Sequence, residues 1–465
     1  MREWTKIRPD GQEGPYIPMG PFTLRFPGIH YKFEPYDFVQ GLLMCAVCLS
    51  IIPILQENLG MPFEVALAIV VLNGFLYCWH TALGDPVVPG WITPAIPLIV
   101  AYVGTFEPGV SRMHALISFQ ITFAVWCLFL GITGLGRRVI DIIPPGIKCG
   151  IILGAGVSAI YMVFRPDGGR LMTMPITISI CALFTVYLMY NYGFRKAAAN
   201  NTILRLVANL GLLPAIVLAI IVAPLVGEAT LNVEWGLSHP DFATLWTKWV
   251  PWGELGWPAP IEFVKSIPLV LATYIVVFGD VLQVQAILAD GRKIRPDDPA
   301  SYSVNRTHLI VGIRNGIMGV FGPDISMCGP LWAAMHVVIV ERWKKGRATM
   351  DSLLGGAASF RFGTFCGYLI LPIVTITRAV LPAALCLTLL IQGFVSVYVG
   401  VREAKNLKDL GIGGMVAGAL LARDSAWGFA VGIIACVLVY GTDLLPGRKI
   451  NEPPIWLDQG QEEKD

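Results

Sequence analysis

Fourteen stretches of this chain, beginning near residues 37, 62, 86, 112, 140, 172, 203, 263, 305, 324, 350, 379, 409 and 427, are candidate membrane spans. A helix crosses a bilayer with roughly 20 mainly apolar residues. Lipid offers no partner to a free N–H or C=O, so spanning backbone must be helix or closed barrel. Runs of this length predict an all-α polytopic membrane protein. Composition agrees, with 55% hydrophobic and 14% charged residues, against roughly 25% charged in soluble proteins. The net charge of +2 and the dispersed basic residues argue against a nucleic-acid partner. Residues 1–36 lack the apolar core of a signal peptide and read as a cytosolic arm. All ten cysteines fall in the apolar segments. Cys45 and Cys48 form a C-x-x-C on one helix face, outside any soluble βαβ context, so the expectation is packed thiols rather than a redox or zinc site.

Lysine and arginine set the orientation. With the N-terminus inside, the cytoplasmic segments receive most of the 34 basic residues, among them Arg2, Lys6, Arg8, Arg137, Arg138, Arg342, Lys344, Lys345, Arg448, Lys449 and Lys464. The opposite side receives only Arg112, Arg165, Arg170, Lys248, Arg378 and Arg423. The positive-inside rule then predicts both termini in the cytoplasm and an even number of spans. The longest polar break, 227–262, contains Trp235, Trp246, Trp249, Trp252 and Trp257 and reads as an interfacial linker.

The two halves resemble each other. Residues 141–160 align with 378–397, matching Pro145 to Pro382, Cys149 to Cys386 and Gly156 to Gly393. At the same displacement to within one residue, Thr93-Pro94 in GDPVVPGWITPAIP meets Gly329-Pro330 in DISMCGPLWAAM. Seven spans per copy is odd, so the copies are inverted. Proline-interrupted segments at corresponding places of two inverted halves point to a transporter's binding site. The third, tenth and thirteenth segments look least like plain helices. For the third and tenth we expect a short extended stretch and then a half-helix starting at the proline, with Thr93 and Gly329 as N-caps. The extended pieces would cover each other as an antiparallel pair. The half-helix N-termini would then offer N–H groups to an anion or a carbonyl-rich ring.

With these residues placed, the chain resembles the nucleobase–ascorbate transporter family, typified by bacterial uracil permease, and the wider superfamily that includes the SulP anion transporters. VQGLLMCAV (39–47) is similar to the family's first-span QH motif, with Gln40 in place and Gly41 where His is usual. VPGWITPAI (88–96) resembles the third-span segment, and GIMGVFGPDISMCGPLWAA (316–334) the stretch into the tenth. The family's tenth-span glutamate falls on Pro330 and its eighth-span glutamate near Val276; Asp280 stands where the permease has His. The tail after residue 446 is too short for the STAS domain usual in SulP transporters. The resemblance implies two moving bodies. A core of 37–134 (spans 1–4) and 263–370 (spans 8–11) moves by an elevator mechanism against a gate of 135–226 (spans 5–7) and 371–446 (spans 12–14). The linker 227–262 and the cytosolic tail 447–465 complete the division. It also implies a homodimer formed through the gate.

These readings combine into an expected secondary active transporter of the inner or plasma membrane, not an enzyme. It would carry a small anionic or polar planar solute, with H⁺ or Na⁺ as coupling ion and no other cofactor or metal. An anion exchanger or uncoupled channel on the same fold is the alternative. No G-x-x-x-x-G-K-[ST] motif is present to power pumping. The expected substrate site takes Gln40, Gly90, Trp91, Ile92, Thr93, Ile96, Asp280, Gln283, Met327, Cys328, Gly329 and Leu331. Asp280, an acid deep in a span, is the expected coupling residue, because intramembrane charges mark pathways or pairs. Its alternative is an ion pair with Arg314, and Asp324 is a second candidate partner of Arg314. Gln285 is expected to pack toward another helix and His336 to be a packed histidine. Arg361 either attracts an anion or snorkels outward.

Overall fold

A computed structural model of the protein describes residues 9–166 and 169–441. Residues 1–8, with Arg2, Lys6 and Arg8, and the tail 447–465, with Arg448, Lys449 and Lys464, lie outside the described residues. The chain is an integral membrane protein built almost wholly of helices. Among the described residues, six helices are long and apolar enough to cross a membrane: Pro35–Leu59, Phe63–Ala82, Val110–Thr133, Pro145–Phe164, Ile267–Ile294 and Leu381–Glu403. Pro175–Tyr190 and Tyr192–Asn200 form a seventh candidate, bent by 59°. Shorter helices fill the remaining apolar regions: Thr93–Gly104 (opening with a 3-10 turn), Leu213–Leu225, Val304–Phe321, Ala333–Trp343, Leu353–Leu369, Leu407–Ala422 and Ser425–Tyr440. The thirteenth segment is therefore a regular helix, contrary to expectation. Gly413 serves packing there, since a Cβ on it would sit within 2.4 Å of Cys149 Sγ of the neighbouring helix.

Close packing, which drives helix association in lipid through small residues, organises the helices into two groups. Pro145–Phe164 crosses Leu381–Glu403 where Gly156 meets Gly393; a Cβ on Gly156 would approach the Gly393 carbonyl oxygen to 2.8 Å. The same helix packs against Leu407–Ala422 and Ser425–Tyr440. In the other group Pro35–Leu49 lies on Leu353–Leu369, with Gly363 against the Phe38 carbonyl and Gly41 against that of Phe360. Val110–Thr133 lies on Val304–Phe321. The ten cysteines are unpaired, eight of them fully buried.

Two polar segments outside the long helices make defined contacts. Ile17–Met19 and Phe22–Leu24 make a small hairpin, and the Arg25 N–H donates to the Ala82 carbonyl at the end of a long helix (2.9 Å). In the linker, Trp246 and Trp252 donate indole N–H groups to the carbonyls of Phe321 and Val320, both 3.0 Å. Those carbonyls belong to the last turn of a helix, which leaves them without internal partners. The tryptophans thus act partly as helix caps.

Candidate functional site

The third and tenth segments meet as extended backbone. The Gly329 N–H donates to Gly90 (2.8 Å), Ile92 to Ser326 (3.1 Å) and Trp332 to Val88 (2.6 Å). Gly90 and Gly329 form an antiparallel bridge. Side chains satisfy the outer edge: Asn315 exchanges two hydrogen bonds with the backbone of Cys328, both 2.9 Å, and Gln120 accepts from the Asp324 N–H (3.0 Å). Buried non-helical backbone needs such partners.

Two details of the half-helices differ from expectation. Thr93 is not an N-cap: it lies inside a 3-10 turn, Thr93–Ala95, followed by Ile96–Gly104, and no side chain caps either. The second half-helix starts at Ala333, not Pro330, with Trp332 as its uncapped N-cap. The Trp332–Val88 bond holds residues 330–332 in the strand pairing.

Beside this pairing is a cavity of about 540 Å³. Among the expected site residues, Gly90, Trp91, Thr93, Asp280, Gln283 and Leu331 line it. Asp280, Gln283 and Val276 share one face of Ile267–Ile294, as a helical repeat requires. Gln40, Ile92, Ile96, Met327, Cys328 and Gly329 do not line the cavity. Ile92, Ile96, Met327 and Cys328 point into the apolar core. Gln40 is buried on its own helix with Oε1 unbonded. Gln285 is exposed rather than packed. His336 is fully buried with neither ring nitrogen bonded.

The charges are arranged differently from the expected ion pairs. Asp280 makes no hydrogen bond or ion pair with the described residues, and Arg314 is not its partner. Arg314 donates to the Gly329 carbonyl and to Asn73 Oδ1, both 3.4 Å, and stacks 4.3 Å from the Tyr77 ring centroid. Asp324 accepts from Asn73 (2.7 Å) and from the Ser326 N–H (2.9 Å), so Asn73 stands between the two charges. Asn73, Gln120 and Asn315 were not foreseen; the signal for them is amide side chains inside three separate apolar segments.

Arg361 does not snorkel, contrary to one of its two readings: it is fully buried in Leu353–Leu369 and lines the cavity. Its guanidinium lies 4.2 Å from the centroid of Tyr77, 5.0 Å from Trp332 and 5.6 Å from Phe360. Among the described residues none of its three nitrogens has an oxygen or nitrogen hydrogen-bond partner; the Cys48 thiol is a weak acceptor beside it. The hydroxyl of Tyr77 is likewise buried and unpartnered. The opposite wall is made by Ile152, Thr388, Ile391 and Gln392, and charged Arg137, Asp141, Lys148 and Glu403 also line the space.

No family model matches the sequence, and no curated protein does. The transmembrane domain of a cyanobacterium bicarbonate transporter, BicA, superposes with a TM-score of 0.52 at 14% identity, covering 86% of this chain and 96% of that one. The two proteins share a fold. Two structures of SLC26A9 give TM-scores of 0.49. One is 15% identical and covers 86% of this chain and 64% of that one. The other is the murine anion transporter in its inward-facing state, 16% identical over 88% of this chain and 68% of that one.

Proposed function

We propose that this protein is a secondary transporter of a small anion, bound in the cavity beside the paired third and tenth segments. One observation carries the reading: the buried Arg361 guanidinium, with no oxygen or nitrogen partner among the described residues, at the wall of that cavity. Burying an ion costs several kcal/mol. A desolvated cation–π contact returns about 2 kcal/mol or more, but it leaves the five N–H donors unused. An anion entering the cavity supplies acceptors and charge together. The shared fold with a bicarbonate transporter supports the same class. The nucleobase reading is weaker, since Pro330 and Val276 replace its two carboxylates.

Asp280, unpaired at the cavity wall, is the coupling residue in this reading, taking H⁺ or helping to hold Na⁺. Fourteen spans in two inverted sevens, with both termini in the cytoplasm, fit the placement of the basic residues and the meeting of Gly156 with Gly393 and of Gly90 with Gly329. The core of 37–134 and 263–370 holds Arg361, Asp280 and the paired segments. The gate of 135–226 and 371–446 supplies the facing wall, and the cavity between them supports elevator movement. A homodimer through the gate completes the proposal.

The test is tracer uptake into proteoliposomes with bicarbonate, chloride, sulfate, acetate and benzoate. Uptake of at least one anion is expected, and Arg361→Gln is expected to abolish it. Full uptake by Arg361→Gln would refute the site. Exchange or an uncoupled channel on the same fold is the alternative reading. Asp280→Asn separates them: coupled transport loses its dependence on pH or Na⁺, whereas uncoupled flux is unchanged.

A further inference from the structure

We infer that the anion is a monovalent organic one, a carboxylate or sulfonate carried on a flat apolar body; this rests on Arg361 being the anion site proposed above. Charge is the first reason. Arg361 is the unpartnered guanidinium at the cavity wall, whereas Arg314 is already held by the Gly329 carbonyl and Asn73. Three basic groups (Arg361, Arg137, Lys148) and three acidic ones (Asp280, Asp141, Glu403) line the cavity, so a dianion would find no net positive charge to balance its second charge.

The donors are the second reason. A small inorganic anion surrenders its hydration shell and needs a ring of N–H and O–H groups in exchange. Around Arg361 the protein offers the ring faces of Tyr77, Trp332 and Phe360. The Tyr77 and Tyr368 hydroxyls are further donors near it without oxygen or nitrogen partners among the described residues, too few for a closed ring. Trp91 and Trp332, each half-buried on the paired strands, present indoles to the space. Size is the third reason. The cavity of about 540 Å³ lies within the ~300–1,000 Å³ of pockets for organic ligands, far above the ~30 Å³ share of one water. The carboxylate fits the planar guanidinium fork, and the flat body lies against the indoles.

The experiment titrates the purified full chain with benzoate, benzamide, acetate, bicarbonate and sulfate, read by calorimetry and tryptophan fluorescence. Benzoate should bind at least about tenfold more tightly than acetate or bicarbonate, the worth of roughly two buried CH₂ groups. Benzamide, the same shape without charge, should bind at least about tenfold more weakly than benzoate, as loss of a charge-assisted bond predicts. Arg361→Gln should remove benzoate binding, and Trp332→Leu should weaken benzoate more than acetate. Acetate, bicarbonate or sulfate binding as tightly as benzoate, yet lost in Arg361→Gln, overturns the organic class and leaves the anion site standing. Benzamide equal to benzoate, or benzoate unaffected by Arg361→Gln, overturns both. No benzoate binding at millimolar concentration overturns the inference. The benzoate–benzamide comparison needs no variant, so a poorly folding Arg361→Gln does not blunt the test.

Discussion

Replacing Gly90 by alanine tests whether the paired strands build the site. A Cβ there would lie 2.9 Å from the Leu331 carbonyl oxygen, 2.9 Å from Trp332 Cβ and 3.0 Å from Trp332 Cα. Two of these are backbone atoms, so the strands must separate by about 0.5 Å to reach ordinary contact near 3.5 Å. The Ile92–Ser326 bond, already 3.1 Å, would pass out of hydrogen-bond range, and the Gly329–Gly90 bond would stretch. Each lost bond costs about 1 kcal/mol, more where the freed group stays buried, and overpacking adds about 1–3 kcal/mol. The expected destabilisation is about 2–4 kcal/mol. The assay is thermal unfolding in detergent followed by tryptophan fluorescence, with Gly414→Ala as control. Gly414 is within a helix and a Cβ there meets nothing within 4 Å, so alanine should be neutral or stabilise by up to about 1 kcal/mol. Because Leu331 and Trp332 line the cavity, Gly90→Ala should weaken anion binding too. A Gly90→Ala protein as stable as the Gly414→Ala control, with unchanged binding, would refute the reasoning.

Three further outcomes are expected. Gly156→Val should destabilise the helix crossing by at least about 3 kcal/mol, because its Cβ would meet the Gly393 carbonyl and the Val397 N–H, both at 2.8 Å; unfolding midpoints read this. Glu228→Ala should cost about 1 kcal/mol, since its carboxylate accepts from the N–H groups of Ile176 (2.8 Å) and Thr177 (2.9 Å) at the start of Pro175–Tyr190; Glu228→Gln should lose less. Asp297 holds Arg295 by two bonds of 2.7 and 2.8 Å, and the Arg295 guanidinium keeps its carboxyl below the usual range. That stabilisation is full above the unfolded pKa of ~3.9 and is lost as pH falls through the lower folded value. Asp297→Asn should therefore flatten the acid limb of the stability profile.

The sequence disclosed what depends on local chemistry or on period. Apolar length gave the helices, and Pro94 and Pro330 at one displacement gave the two extended segments. Where the half-helices begin was not legible, because distant backbone decides it. The Trp332 N–H bonds to Val88, from the other half of the chain, and this keeps Pro330 extended although Pro suits a first helical position. Thr93 looked like a cap by residue type, but Pro94 draws it into a 3-10 turn whose N-cap is Ile92. Arg361 was ambiguous for the same reason. Its three rings come from Phe63–Ala82, the residue before Ala333–Trp343, and its own helix, and no spacing within one segment announces that they converge.

The distribution of close contacts bears on which parts can move. In the helix group around Pro145–Phe164, glycines bring backbones together: Gly156 on Gly393, Gly400 with a would-be Cβ 2.6 Å from Leu153 N, Gly150 at 2.7 Å from the Gly413 carbonyl. In the other group the same holds for Gly363 on the Phe38 carbonyl and Gly312 on that of Ala124. Such interlocked surfaces cannot slide without first separating, because each fits a single register. Part of the boundary between the two groups is the cavity, lined from the first group by Ile152, Ile391 and Val395. Branched apolar side chains set no comparable register. In the transport cycle proposed above, a displacement that preserves both interlocked groups runs along the cavity wall and carries Arg361 and Asp280 together. Gly156→Val and Gly90→Ala disturb the inside of each body. They should therefore lower stability and binding before they alter the direction or coupling of transport.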